Sequence, residues 1–120
     1  LLKTARSFTY AFKGIYLVIR FENNTRIHLF ASIIALLLGV LVELSAIEWA
    51  LILMQIGLVW AAEIFNTALE KLVDLVSPGF NPKAGAIKDI AAGAVLVVSI
   101  MALAVGILVF GNKLNMLIKF

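Results

Sequence analysis

Cysteine is absent from this chain and histidine occurs once, at position 28. Without thiols there is no disulfide and no thiolate metal site, and a lone His28 cannot build a histidine-rich metal centre. Any metal must be held by oxygen ligands. Proline is nearly as scarce: both prolines fall within Ser77-Pro-Gly-Phe-Asn-Pro-Lys83, where they and Gly79 must interrupt a helix. Charge is also sparse, at 14% of residues against 63% hydrophobic. A soluble core of 120 residues has no use for that much apolar sequence, so the chain reads as an integral membrane protein. Its formal net charge is only +3, and no nucleic-acid partner is expected.

Over residues 1–20, Leu2, Ala5, Phe8, Phe12, Ile15 and Ile19 recur at helical steps, with Lys3, Arg6, Tyr10, Lys13 and Arg20 on the other side. The pattern predicts an amphipathic, basic helix lying on the membrane surface, its cations either anchoring to anionic headgroups or binding phosphate. Cations spread through the whole segment argue against a signal peptide. Apolar runs then predict three spans, so the expected fold is an all-α membrane protein: a surface helix over 1–20 and membrane helices at about 27–43, 47–76 and 88–110. All belong to a single domain covering residues 1–120. The third span contains Ile90 to Phe110, which carries no charge and suffices for a hydrocarbon core of ~30 Å.

Charge placement gives the expected orientation. Lys3, Arg6, Lys13, Arg20 and Arg26 precede the first span, and Lys71, Lys83 and Lys88 surround the second connection. Both regions belong on the cytoplasmic side, while the connection from Glu43 to Glu48, without Lys or Arg and followed by the interfacial Trp49, belongs outside. The N-terminus is then cytoplasmic, helix two runs on into the cytoplasm to about Val76, and Lys113 and Lys119 are outer-side exceptions.

Glu63, Asn66, Glu70 and Asp74 follow directly on the apolar run that ends at Ala62. Spaced for a helix, they form one stripe within roughly 60° of each other. An ionised group at membrane depth costs on the order of 3 kcal/mol, so such residues usually face a cavity and mark a functional site. Glu63 lies fourteen residues beyond Trp49, or ~21 Å along a helix, close to the inner interface. Glu22, Lys88 and Asp89, at the edges of the first and third spans, converge on the same depth. Carboxylates, an amide and a lysine at a cytoplasmic interface suit phosphoryl transfer from ATP to a lipid hydroxyl. Mg²⁺ takes one or two carboxylates plus substrate phosphates, a lysine offsets the transferring charge, and another carboxylate accepts a proton. No Walker-type or protein-kinase glycine loop is present. Intramembrane acids also mark ion pathways, so a small proton-coupled multidrug-type transporter is the alternative.

Blander roles compete at several positions. Asn66 suits interhelical hydrogen bonding, and Asp74 suits the solvated face of a helix leaving the membrane. Lys88 and Asp89 suit an interfacial anchor and a helix N-terminal acid. His28 reads as an interfacial polar residue rather than a ligand, and Ala91-Ala-Gly-Ala94 as a close-packing patch.

The run Glu63-x-x-Asn66-Thr67-Ala68-Leu69-Glu70-x-x-Val73-Asp74 resembles the signature of the small prokaryotic diacylglycerol kinase family, which includes the undecaprenol kinases. The resemblance extends through Phe8-x-Tyr10-Ala11-x-x-Gly14, Glu22-x-x-x-Arg26 and Lys88-Asp89. It implies a homotrimer in the bacterial cytoplasmic (inner) membrane, with Mg²⁺- and ATP-dependent sites on the cytoplasmic side. It further implies Glu63 as the general base for a lipid alcohol and Glu22 and Glu70 as metal ligands. Those two would contact the nucleotide together with Lys3, Tyr10, Asn66, Lys88 and Asp89. Lys3 stands where an arginine is more familiar, keeping the charge without the bidentate fork. The stretch Glu22-Asn-Asn-Thr-Arg-Ile-His28 resembles the undecaprenol branch more than the diacylglycerol one.

Overall fold

The computed structural model describes residues 1–118 and consists of four helices: α1 (Leu2–Phe21), α2 (Asn23–Leu41), α3 (Ala46–Val76) and α4 (Pro82–Ile118). Lys119 lies outside the described residues. Helices α2, α3 and α4 are each long and apolar enough to cross a membrane. The molecule is elongated, 60 × 42 × 20 Å, as expected where α3 alone extends about 46 Å at 1.5 Å per residue. Large apolar side chains such as Leu53, Phe65, Leu75, Ile90, Leu103 and Leu108 face outward, whereas Thr25, Glu63, Asn66 and Thr67 are buried. That inversion suits a lipid solvent, which gives apolar groups no reason to turn inward and makes exposed polar ones costly.

Helix boundaries follow capping chemistry. Glu22 is the one residue between α1 and α2, in extended conformation, and Arg26 folds back across the joint to donate to the carbonyls of Ile19, at 3.2 Å, and Arg20. A guanidinium thereby satisfies carbonyls that the end of α1 leaves free. The α2 terminus closes with Leu44 N–H donating to Gly39 C=O (3.1 Å) and Glu43 N–H to Val40 C=O (3.3 Å). Glu43 sits in the left-handed region, φ 56°, a site where glycine is the usual residue. Ser45 and Glu48 then form a reciprocal capping box that starts α3. Glu48 also holds Lys113 Nζ at 2.9 Å, so the cation that departs from the expected charge bias has a carboxylate partner.

The proline-glycine break is confined to residues 77–81. Asn81 Oδ1 accepts from Lys83 N–H at 2.9 Å and Pro82 occupies the first turn of α4, where its missing donor costs nothing. Helix α4 thus extends on both sides of the expected span 88–110, and α2 begins at Asn23, ahead of the apolar run from residue 27. Hydropathy marks the stretch matched to lipid, but caps decide where the hydrogen-bonded helix stops.

Apolar packing concentrates at the α2–α3 turn. Leu44, Ile52 and Val109 form its buried centre, with Ala35, Val42, Trp49, Ile56, Val105 and Phe110 around them. Trp49 lies so close to Gly39 that a Cβ there would meet its ring at 2.6 Å. The buried polar residues lie toward the other end of the helices.

Candidate active site

Glu63, 3% exposed, sits on α3 with Asn66 and Thr67, which are also buried, and Thr25 of α2 is fully buried. Glu22 at the α1–α2 joint and Glu70 one turn after Asn66 are near enough for their charges to act on Glu63. Asn66 Nδ2 donates to Glu70 Oε1 at 3.1 Å. Its own Oδ1, like Thr25 Oγ1, is buried without a hydrogen-bond partner among the described residues. Glu22 makes no side-chain cap to α2, leaving its carboxylate for the site. Two chain segments thus supply the group: the joint gives Glu22, and successive turns of α3 give Glu63, Asn66 and Glu70.

A second group lies beyond it. Lys88 of α4 pairs with Asp74 of α3, bridging the two helices beside a cavity of about 320 Å³ whose lining includes Pro78, Phe80 and Asn81. Asp74 is exposed, so the stripe that starts buried at Glu63 emerges into solvent by its fourth member. Asp89 is exposed and lies beyond the first turn of α4, which removes the reading of it as a helix N-terminal acid. Lys3 and Tyr10 are exposed on α1, and among the described residues no hydrogen bond or ion pair ties them, or Asp89, to the Glu63 cluster.

His28, read from sequence as an interfacial polar residue, instead meets Glu63: its Nε2 lies 3.4 Å from Oε2. Only the depth of His28 was available from sequence. The face of α2 that it occupies depends on how α2 packs on α3, which Ser32 and Trp60 fix through a 3.0 Å hydrogen bond. From His28 a groove of about 510 Å³ runs between α2, α3 and α4 past Ser32, Val59 and Ser99 to Phe110, at the other end of the spans. Its walls are mainly apolar, and Gln55 and Ser99 are the polar interruptions midway.

The donor set suits a hard divalent cation shared with phosphates. Only oxygen donors are at hand apart from His28, and Asn66 Oδ1 is an orphaned buried acceptor beside Glu70. Among the described residues, no group of three or more acidic or histidine side chains is gathered as a metal cage. Mg²⁺ does not require one, because it keeps waters and substrate phosphates in its shell.

Residues 9–110 match the family model for prokaryotic diacylglycerol kinase. The undecaprenol kinase of Bacillus subtilis is 43% identical over 109 residues, covering 91% of this chain and 89% of that protein. A diacylglycerol kinase of Synechocystis is 40% identical over 83% of this chain, which spans 58% of the relative's length. The diacylglycerol kinase of Escherichia coli K12 is 29% identical over 78% of this chain and 76% of its own. These relatives are lipid kinases, and transport is not favoured.

Proposed function

The chain belongs to the prokaryotic diacylglycerol kinase family, and from that premise we propose that it transfers the γ-phosphoryl group of ATP to the hydroxyl of a membrane lipid at the cytoplasmic face. The observation that carries this reading is the burial of Glu63 beside Glu22, Asn66 and Glu70 where a mainly apolar groove meets the polar cluster. A lipid chain in the groove brings its hydroxyl toward Glu63, while the nucleotide approaches from water. Glu63 takes the hydroxyl proton as the lipid oxygen bonds to the γ-phosphorus. The bond from that phosphorus to the β–γ bridging oxygen breaks, and ADP leaves.

Glu22 and Glu70 would hold Mg²⁺, and Asn66 Oδ1 would offer a further oxygen to the metal–nucleotide complex. The chemistry such a metal would supply is an offset to the charge on the phosphates. Lys88 neutralises phosphate charge, exchanging Asp74 for the nucleotide, and Asp89, Lys3 and Tyr10 contribute outer contacts to it. The exposed position of Lys3 and Tyr10 on α1 is compatible with a ligand reaching them from water. Helix α1 lies on the cytoplasmic membrane surface, with its basic side toward the headgroups. The working assembly is a homotrimer, with the N-terminus cytoplasmic and the C-terminus outside.

Undecaprenol is the favoured substrate, supported by the Bacillus relative that aligns along most of both chains and by the stretch from Glu22 to His28. Diacylglycerol is the second reading, supported by the names of the Synechocystis and Escherichia coli relatives. Initial rates of phosphate incorporation into the two lipids, compared at equal mole fraction in mixed micelles, test the choice. A higher kcat/KM for undecaprenol is expected; a preference for diacylglycerol reverses the assignment.

A further inference from the structure

His28 has a geometry that the reaction above leaves unused. Its Nε2 faces Glu63 Oε2 at 3.4 Å, the long end of hydrogen-bond reach, and the two side chains are only 22% and 5% exposed. The backbone beneath His28 is anchored as well. Ser32 Oγ donates to the His28 carbonyl at 2.7 Å and accepts from Trp60 Nε1 at 3.0 Å, which ties this turn of α2 to α3. His28 also lines the groove that leads away from Glu63.

We propose that His28 is a positioning residue for Glu63: its ring N–H holds Oε2, so that Oε1 is turned toward the hydroxyl of a lipid chain lying in the groove. The inference rests on the reading of Glu63 as the proton acceptor. The terminal torsion of a glutamate is broad, and a carboxylate with both oxygens free samples orientations useless for proton transfer. A donor on one oxygen removes that freedom without touching substrate. Misplacement of a reacting group by about 1 Å costs on the order of 10²-fold in rate, so the positioning is large enough to read in turnover.

The test compares His28→Gln, which keeps an N–H donor at similar reach, with His28→Met, which is unbranched and of similar length but has none. Glu63→Gln serves as control. All are assayed as full-length protein in mixed micelles with Mg·ATP and lipid. His28→Met is expected to lower kcat roughly 10- to 100-fold while KM for ATP and for lipid stay within about twofold. His28→Gln is expected to recover most of that kcat, a rescue that a role in helix packing alone would not produce. If Glu63→Gln abolishes turnover but His28→Met keeps wild-type kcat, the positioning role is overturned and the kinase reading stands. Equal losses in His28→Gln and His28→Met, in kcat or in folding, overturn it too. If Glu63→Gln itself turns over normally, the assignment of Glu63 fails and this inference fails with it.

Discussion

Asn66 Nδ2 donates to Glu70 Oε1 at 3.1 Å across one turn of α3, while Asn66 Oδ1 is buried without a partner among the described residues. The amide thus orients one proposed metal ligand and keeps an oxygen free beside it. Buried acceptors are rarely left unpaired, because stranding one costs about 1–3 kcal/mol. A ligand that fills the site would recover that cost.

Glu70→Ala removes a carboxylate from the proposed metal–nucleotide site. The apparent KM for ATP is expected to rise about tenfold or more at low Mg²⁺, the equivalent of about 1.4 kcal/mol, and to fall back partly as Mg²⁺ is raised. ATP saturation curves at several Mg²⁺ concentrations check this. Curves that do not respond to Mg²⁺ would count against ligation by Glu70.

Lys88 and Asp74 join α4 to α3 through a pair that leaves 37% and 63% of the respective side chains exposed. An ion pair so open to solvent contributes about 0–1 kcal/mol to stability. Asp74→Asn is therefore expected to shift the thermal midpoint only slightly. Lys88→Met is expected to raise KM for ATP roughly tenfold by removing a cation from the phosphates. Melting curves in detergent and ATP titrations of both variants separate the two effects. A large stability loss in Asp74→Asn would make the pair a structural bond instead.

Gly39 allows Trp49 to close the apolar end of the molecule, since a Cβ would fall 2.6 Å and 2.9 Å from ring atoms and 3.0 Å from Leu44 Cδ1. Gly39→Ala is expected to destabilise the fold by about 1–3 kcal/mol through overpacking. Gly111→Ala is the comparison, because among the described residues a Cβ there meets nothing within 4 Å. It is expected to be neutral or mildly stabilising, and equal effects of the two substitutions on the thermal midpoint would contradict the packing argument.

Periodicity and motif spacing made the stripe from Glu63 to Asp74 legible, because four positions on a single helix keep their relation whatever the helix packs against. Gradation along the stripe was not legible. Glu63 and Asn66 are buried while Asp74 is exposed and engaged by Lys88, an outcome that depends on how the other helices pack on α3, with His28 of α2 at Glu63 and Lys88 of α4 at Asp74. For the same reason His28 was missed: one histidine among apolar residues gives its depth but not its face. Hydropathy located three spans but not the full length of α4, because Asn81 and Pro82 begin the helix before the uncharged stretch does. Depth and helical periodicity placed Asp89, Lys3 and Tyr10 on the expected cytoplasmic side, and family resemblance alone gave them nucleotide contacts. All three are exposed, and no polar contact among the described residues connects them to Glu63.

Lipid phosphorylation with Glu63 as proton acceptor is tested most directly by following labelled γ-phosphate from Mg·ATP into undecaprenol and diacylglycerol, using wild type and Glu63→Gln, with nucleotide binding measured on the same preparations. Wild type is expected to label at least one lipid. Glu63→Gln is expected to lose turnover by a factor on the order of 10²–10⁴, the usual contribution of a positioned base, with nucleotide affinity nearly unchanged. Turnover undiminished in Glu63→Gln, or its loss together with nucleotide binding, would contradict the account.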